Sequence, residues 1–221
     1  MEQNFVEVKT KRRYDASRRR AQAAQTQSGI LDTARREFLE HGYAATTVPR
    51  IATEAGTSVE TVYKAFGGKS GIVRALWERG LGGQGPVPAP ERSDLLSSTE
   101  TDPVRVLRGW ATFSTEVAPE VAPILLLVRG AAATDPDMAK LLADAEAQHR
   151  TRMRHNARRL QHRGWLQPGI SLAQATDILW TYSSAELYDL LVVKSRWPVK
   201  RYGEFIGDAL IAALLASSNH G

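Results

Sequence analysis

Residues 47–66, TVPRIATEAGTSVETVYKAF, hold two helix starts and one enforced stop within twenty positions, and no other stretch restricts the folding of this chain as tightly. Thr47 offers a side-chain oxygen to the unpaired amides of a first helical turn. Pro49 falls where a missing N–H does no harm. Ile51, Ala52 and Ala55 share one face at helical spacing. Gly56 then tolerates the positive φ that ends a helix. Ser58 caps a second helix over residues 59–66, in which Val62 and Phe66 point inward while Thr61 and Lys64 point elsewhere. Two helices of about two turns, joined by a short glycine-containing turn, make a helix-turn-helix. The second helix of that motif is the one that enters a DNA major groove.

The flanking sequence agrees. A preceding helix running to about Glu40 buries Ile30, Leu31, Ala34 and Phe38 and stops at Gly42; a following helix over about 69–79 faces Ile72, Val73, Leu76 and Trp77 inward. Charge is divided unevenly along the chain. Residues 1–80 carry 14 Lys and Arg against 9 Asp and Glu, whereas residues 81–221 carry 15 of each, so the whole net charge of +5 sits with the helix-turn-helix. A basic module joined to a neutral one is the footprint of polyanion binding by the first. Residues 1–16 are polar and expected to be irregular, and residues 11–20 hold six basic side chains, Lys11, Arg12, Arg13, Arg18, Arg19 and Arg20. Beside such a motif they read as an arm that touches phosphates or the minor groove.

Beyond residue 80 the pattern stays helical. GLGGQG at 80–85 matches the letters of a dinucleotide-binding loop, but a helix precedes it and PVPAP follows, where a strand and a helix are required. It reads instead as a helix stop opening a loop over 85–103. Helices are expected over 104–116, 119–133 with a bend at Pro123, a span of about 26 residues from Asp135-Pro136 to near Gly164, 172–194 and 199–216. No segment alternates with period two, so the fold class is all-α: an N-terminal three-helix DNA-binding domain plus a C-terminal helical bundle. Arg150, Arg154 and Arg158 form one stripe of the long helix and read as a solvated face. The chain has no cysteine, and His149, His155 and His162 are not spaced for a helical zinc pair, so no metal or other cofactor is expected. No catalytic triad, paired-carboxylate or P-loop pattern presents itself, so an enzyme is not expected. Contiguous apolar runs are far below the ~18 residues of a membrane span and no signal-peptide core opens the sequence, which implies a cytoplasmic protein with no membrane partner.

Ile30-Leu31, Ala34, Phe38, Gly42-Tyr43, Thr46-Thr47, Ile51-Ala52, Ala55-Gly56, Ser58, Thr61, Tyr63, Phe66 and Lys69 together resemble the N-terminal signature of TetR-family transcriptional regulators, over roughly residues 24–84. The resemblance implies an arm over 1–23, a DNA-binding domain over 24–84, a linker over 85–103 and a ligand-binding and dimerisation domain over 104–221. It also implies a homodimer on a palindromic double-stranded operator, acting as a repressor released by an apolar or amphipathic effector. Thr47, Tyr63, Lys64 and Lys69 would then hold phosphates, while Ser58, Val59, Glu60 and Thr61 meet base edges. Trp110, Phe113, Trp180 and Tyr182 are the aromatics available to line an effector pocket, and the last two helices would pair across a two-fold axis. Glu60 and Ser70-Gly71 depart from the family's usual residues. A non-specific DNA binder, an activator of the same fold and a stand-alone enzyme or ligand carrier with a vestigial motif remain as alternatives.

Overall fold

The structure, a computed structural model, describes the backbone of residues 3–216 and the side chains of residues 17–216. Among the described residues there is no strand; one isolated antiparallel bridge joins Leu166 to Leu215. The chain divides into two compact units, Met1–Ala75 and Leu76–Gly221.

In the first unit, helix α1 spans Gln3–Ala45, broken at Gly42, whose φ of 79° no regular helix accommodates. The irregular arm expected over 1–16 is therefore helical backbone from Gln3 on. No glycine or proline lies between positions 3 and 28 to stop the helix. The side chains of Lys11, Arg12 and Arg13 lie outside the described residues. Helices α2 (Val48–Glu54) and α3 (Val59–Phe66) follow, and α4 (Lys69–Leu81) contains the division between units, earlier than the boundary near residue 84 that the sequence suggests. At seven and eight residues, α2 and α3 are too short to persist alone. They are held by burial of Val48, Ile51, Ala52 and Val62 alongside Ile30, Ala34 and Phe38. Each fully buried Val or Ile contributes about 1.5–3 kcal/mol. Thr46, fully buried, fastens the end of α1 by reaching the carbonyls of Glu37 (3.1 Å) and Gly42 (2.9 Å).

The second unit comprises the end of α4 with α5 (Ala89–Thr99), α6 (Pro103–Ala131), α7 (Pro136–His162), α8 (Leu172–Tyr182), α9 (Ala185–Tyr188), a π-helical segment Asp189–Lys194 and α10 (Val199–Leu214). Three expectations are corrected. The loop over 85–103 contains α5, whose buried residues are Ala89, Ser93 and Ser97. A stripe of small residues carries no hydrophobic periodicity to detect. The helices expected over 104–116 and 119–133 are one helix, α6, with Pro119 and Pro123 inside it. Each proline removes one backbone hydrogen bond, and packing of α6 against α5, α7, α9 and α10 offsets that loss. The helix expected over 172–194 breaks at Ser183-Ser184, where Ser184 caps α9 by accepting from the Leu187 amide (3.3 Å). By length and composition α6 could cross a membrane, although it has no unbroken apolar run of that length. Its Val106, Leu107, Ala111 and Val128 are buried in the bundle, in keeping with its place as the core helix.

Candidate nucleic-acid interface and ligand cavity

Thr47 caps α2 by accepting from the Arg50 amide (3.3 Å), and Ser58 caps α3 by accepting from the Thr61 amide (3.1 Å). Such caps contribute about 1 kcal/mol each. Gly56 (φ 62°) turns the chain between them, and Gly67 (φ 73°) ends α3 with its amide on the Tyr63 carbonyl (2.8 Å). Rotation of α3 about its axis is fixed by Val62, which is fully buried, with Phe66 half-buried beside it. Ser58, Val59, Glu60, Tyr63 and Lys64 consequently lie exposed, as does Thr47. Tyr63 shows half its surface.

Two residues differ from a simple exposed face. Thr61 is half-buried and its hydroxyl lies 2.8 Å from that of Ser58, so the two act as a coupled pair. Lys69 donates to the Tyr43 carbonyl (2.9 Å) and sits 4.0 Å from the centre of the Tyr43 ring, so part of its hydrogen-bonding capacity holds α4 to the end of α1, just past the break at Gly42. Arg50, on α2, is tied to the buried Glu37 carboxylate and to His41 (2.7 Å).

Inside the second unit is a cavity of about 320 Å³, within the size range of small-molecule sites. Trp110, Phe113 and Tyr182 line it as the sequence suggests; Trp180 does not, and instead stacks on Arg150, which also pairs with Asp177 (2.6 Å). Sequence reasoning missed the polar wall. Gln148, His149, Arg152 and Asn156 from α7 and Tyr202 from α10 all line the cavity. A signal existed, because His149, Met153 and Asn156 stand at i, i+4 and i+7 on one face of α7. His149 Nε2 lies 2.7 Å from Ser183 Oγ, and burial pushes its pKa down to about 4, so the ring is neutral at neutral pH.

The arginines of α7 divide by face. Arg150, Arg154 and Arg158 are exposed, as expected, whereas Arg152, Arg159 and Arg163 secure α5. Arg152 meets Asp94 (3.0 Å) and the Pro90 carbonyl (3.1 Å). Desolvation pushes the Asp94 carboxyl up, but the hydrogen bond and charge of Arg152, helped by His155 and Arg159, outweigh it and hold the group below the usual carboxylate range. Arg163 serves the last carbonyls of α5, those of Ser98 and Glu100 (both 2.9 Å) and Ser97 (3.3 Å).

Residues 30–76 match the family described as "Bacterial regulatory proteins, tetR family". Over 70 residues the chain is 34% identical to an uncharacterized HTH-type transcriptional regulator, YvkB, of Bacillus subtilis (strain 168); that stretch is 32% of this chain and 37% of YvkB. The fold resembles that of SmeT, solved with triclosan, at a TM-score of 0.68 and 24% identity over 88% of this chain and 93% of SmeT. It also resembles NalD of Pseudomonas aeruginosa, at 0.69 and 19% over 89% and 99%. The DNA-binding module over residues 30–76 is that of the tetR family. Its two departures from the usual TetR-family residues have visible settings. Glu60 is an exposed acid in the first turn of α3, favourable to the helix dipole. Gly71 is placed so that a Cβ there would run into the Phe66 carbonyl oxygen at the end of α3.

Proposed function

We propose that this chain is a homodimeric, sequence-specific DNA-binding transcriptional regulator, a repressor that a small molecule releases from a palindromic operator. The observation that carries this reading is the exposed arc of α3, with Ser58, Val59, Glu60, Tyr63 and Lys64 presented to solvent on a helix whose rotation Val62 fixes. The concentration of the chain's positive charge in residues 1–80 supports it. SmeT is described as the repressor of a multidrug efflux pump of Stenotrophomonas maltophilia, and NalD as the secondary repressor of the MexAB-OprM pump. Those descriptions, with the triclosan complex of SmeT, support a repressor with an effector cavity here. Exposed Leu190, Val193 and Phe205 near the end of the chain support pairing of two copies. Selection of bound duplexes from random DNA tests the whole reading. A two-fold-symmetric site is expected; binding without sequence preference at elevated salt would leave a non-specific binder, and no binding would leave a ligand carrier.

The α3 face divides into readers and anchors. Thr61→Ala is expected to change preference at one or two base pairs, by about 1–3 kcal/mol per disturbed contact. Lys64→Ala is expected to weaken all sequences alike and to flatten the plot of log K against log salt by about 0.9. Glu60→Gln separates two uses of the carboxylate. Lost discrimination at a single C·G pair marks acceptance from cytosine N4, and a uniform gain in affinity marks repulsion of phosphates. Equal, sequence-independent losses for Thr61→Ala and Lys64→Ala, measured by fluorescence anisotropy on a panel of duplexes, would overturn this assignment of the helix face.

A further inference from the structure

The N-terminal end of α3 carries two hydroxyl groups that share their hydrogens. Ser58 is the N-cap and Thr61 stands in the first turn, where a recognition helix meets base edges. Ser58 Oγ accepts from the Thr61 amide (3.1 Å), and the two hydroxyl oxygens lie 2.8 Å apart. Ser58 is exposed and Thr61 half-buried. Each hydroxyl has one hydrogen to give and two lone pairs to fill. Two arrangements follow. When Ser58 donates to Thr61, the Thr61 hydrogen is free, and Ser58 keeps one open lone pair because the amide fills the other. When Thr61 donates to Ser58, both Ser58 lone pairs are filled, the Ser58 hydrogen is free, and Thr61 keeps two open lone pairs. In either arrangement one oxygen donates outward and the other accepts. Two outward donors are available only if the bond between the hydroxyls breaks.

The bases differ in what they offer such a pair. In the major groove adenine shows an acceptor and a donor side by side, N7 and the N6 amino group. Guanine shows two acceptors, N7 and O6. Cytosine shows the N4 amino donor, and thymine the O4 acceptor beside its methyl group. Whichever hydroxyl lies nearer adenine N7, one of the two arrangements supplies the donor there and the acceptor beside it. Guanine leaves one of its acceptors facing a lone pair, or else costs the bond between the hydroxyls. Cytosine and thymine take one bond each. We infer that Ser58 and Thr61 read one base jointly and select adenine over guanine; this rests on α3 being the DNA-contacting helix of the regulator proposed above. Val59, next to Ser58 and 38% exposed, adds an apolar surface of the kind that meets the thymine methyl group of an A·T pair.

The test starts from sites that the parent chain selects from random duplex DNA. Each base pair of the selected half-site is exchanged in turn and binding is read by fluorescence anisotropy. One position is expected to hold adenine, with guanine there binding about tenfold more weakly. Adenine replaced at that position by 7-deazaadenine, which keeps the amino group and lacks the N7 acceptor, is expected to bind the parent chain about tenfold more weakly as well. Thr61→Val keeps the shape of the side chain and the Ser58 cap and removes one hydroxyl. The remaining Ser58 hydroxyl serves N7 of either purine, so adenine and guanine at that position are expected to bind this variant within about twofold of each other. The 7-deazaadenine measurement uses the unaltered chain and decides the matter even where Thr61→Val fails to fold. Three results would each overturn the inference and leave the regulator reading standing: guanine, cytosine or thymine preferred at the position that Thr61→Val flattens, 7-deazaadenine binding as tightly as adenine, or a folded Thr61→Val chain that keeps the full preference for adenine. A parent chain that selects no sequence would overturn the regulator reading itself, and this inference with it.

Discussion

A chain carrying Leu190→Glu and Val193→Glu is expected to sediment as a monomer and to bind a two-half-site duplex about 100-fold or more weakly than the parent. Both side chains are more than half exposed, on and beside a segment otherwise packed into the second unit. Two carboxylates in the middle of an apolar interface face desolvation without partners. Loss of the second half-site then removes the multiplicative gain of a linked pair, which is commonly 10²–10⁴. Leu187 and Leu191 make poorer targets, because they are half-buried against the core of their own unit and their replacement would damage folding as well. Analytical ultracentrifugation and anisotropy on matched one-site and two-site duplexes give the answer. A double variant that remains dimeric would place the interface elsewhere.

Gly71→Ala is expected to destabilise the first unit by about 3 kcal/mol, the upper range for overpacking. The new methyl group would meet a backbone oxygen, that of Phe66, which cannot rotate away as a side chain would. The end of α3 or the start of α4 must therefore move, and the presented face of α3 moves with it. Gly29→Ala is the control. It lies within α1 with open space around its would-be Cβ, so the same chemical change there is neutral or stabilising by up to about 1 kcal/mol. Chemical denaturation followed by circular dichroism compares the two, and equal stability of both variants would remove Gly71 as a close-approach site.

The parts of this fold that were legible in the sequence are those dictated by near neighbours. Thr47 and Ser58 cap because their oxygens reach amides three residues on, and Gly42 and Gly56 stop helices by their own φ. Residues whose role depends on distant chain were not legible. Helix α5 is fixed by Arg163, which reaches Glu100 across 63 positions, and by Arg152, which reaches Asp94 across 58. Pro119 and Pro123 signal a break locally, yet the bundle around α6 keeps the helix continuous. Trp110 and Trp180 look alike as aromatics on helices, and only tertiary packing turns the first to the cavity and the second to Arg150. Asn156 and Tyr202 were passed over because polar side chains on helices usually face water.

Helix α5 contributes Ala89, Pro90 and Ser93 to the cavity wall, and beside Leu96, which packs against the core, its fastenings are electrical: Arg92 to Glu116, Arg152 to Asp94 and Arg163 to its terminal carbonyls. Its buried side chains are too small to supply much apolar adhesion. Partly exposed ion pairs weaken as counterions accumulate, whereas apolar packing does not. Added salt is therefore expected to loosen α5 from the second unit before it disturbs α6 or α10, whose buried side chains are large and apolar.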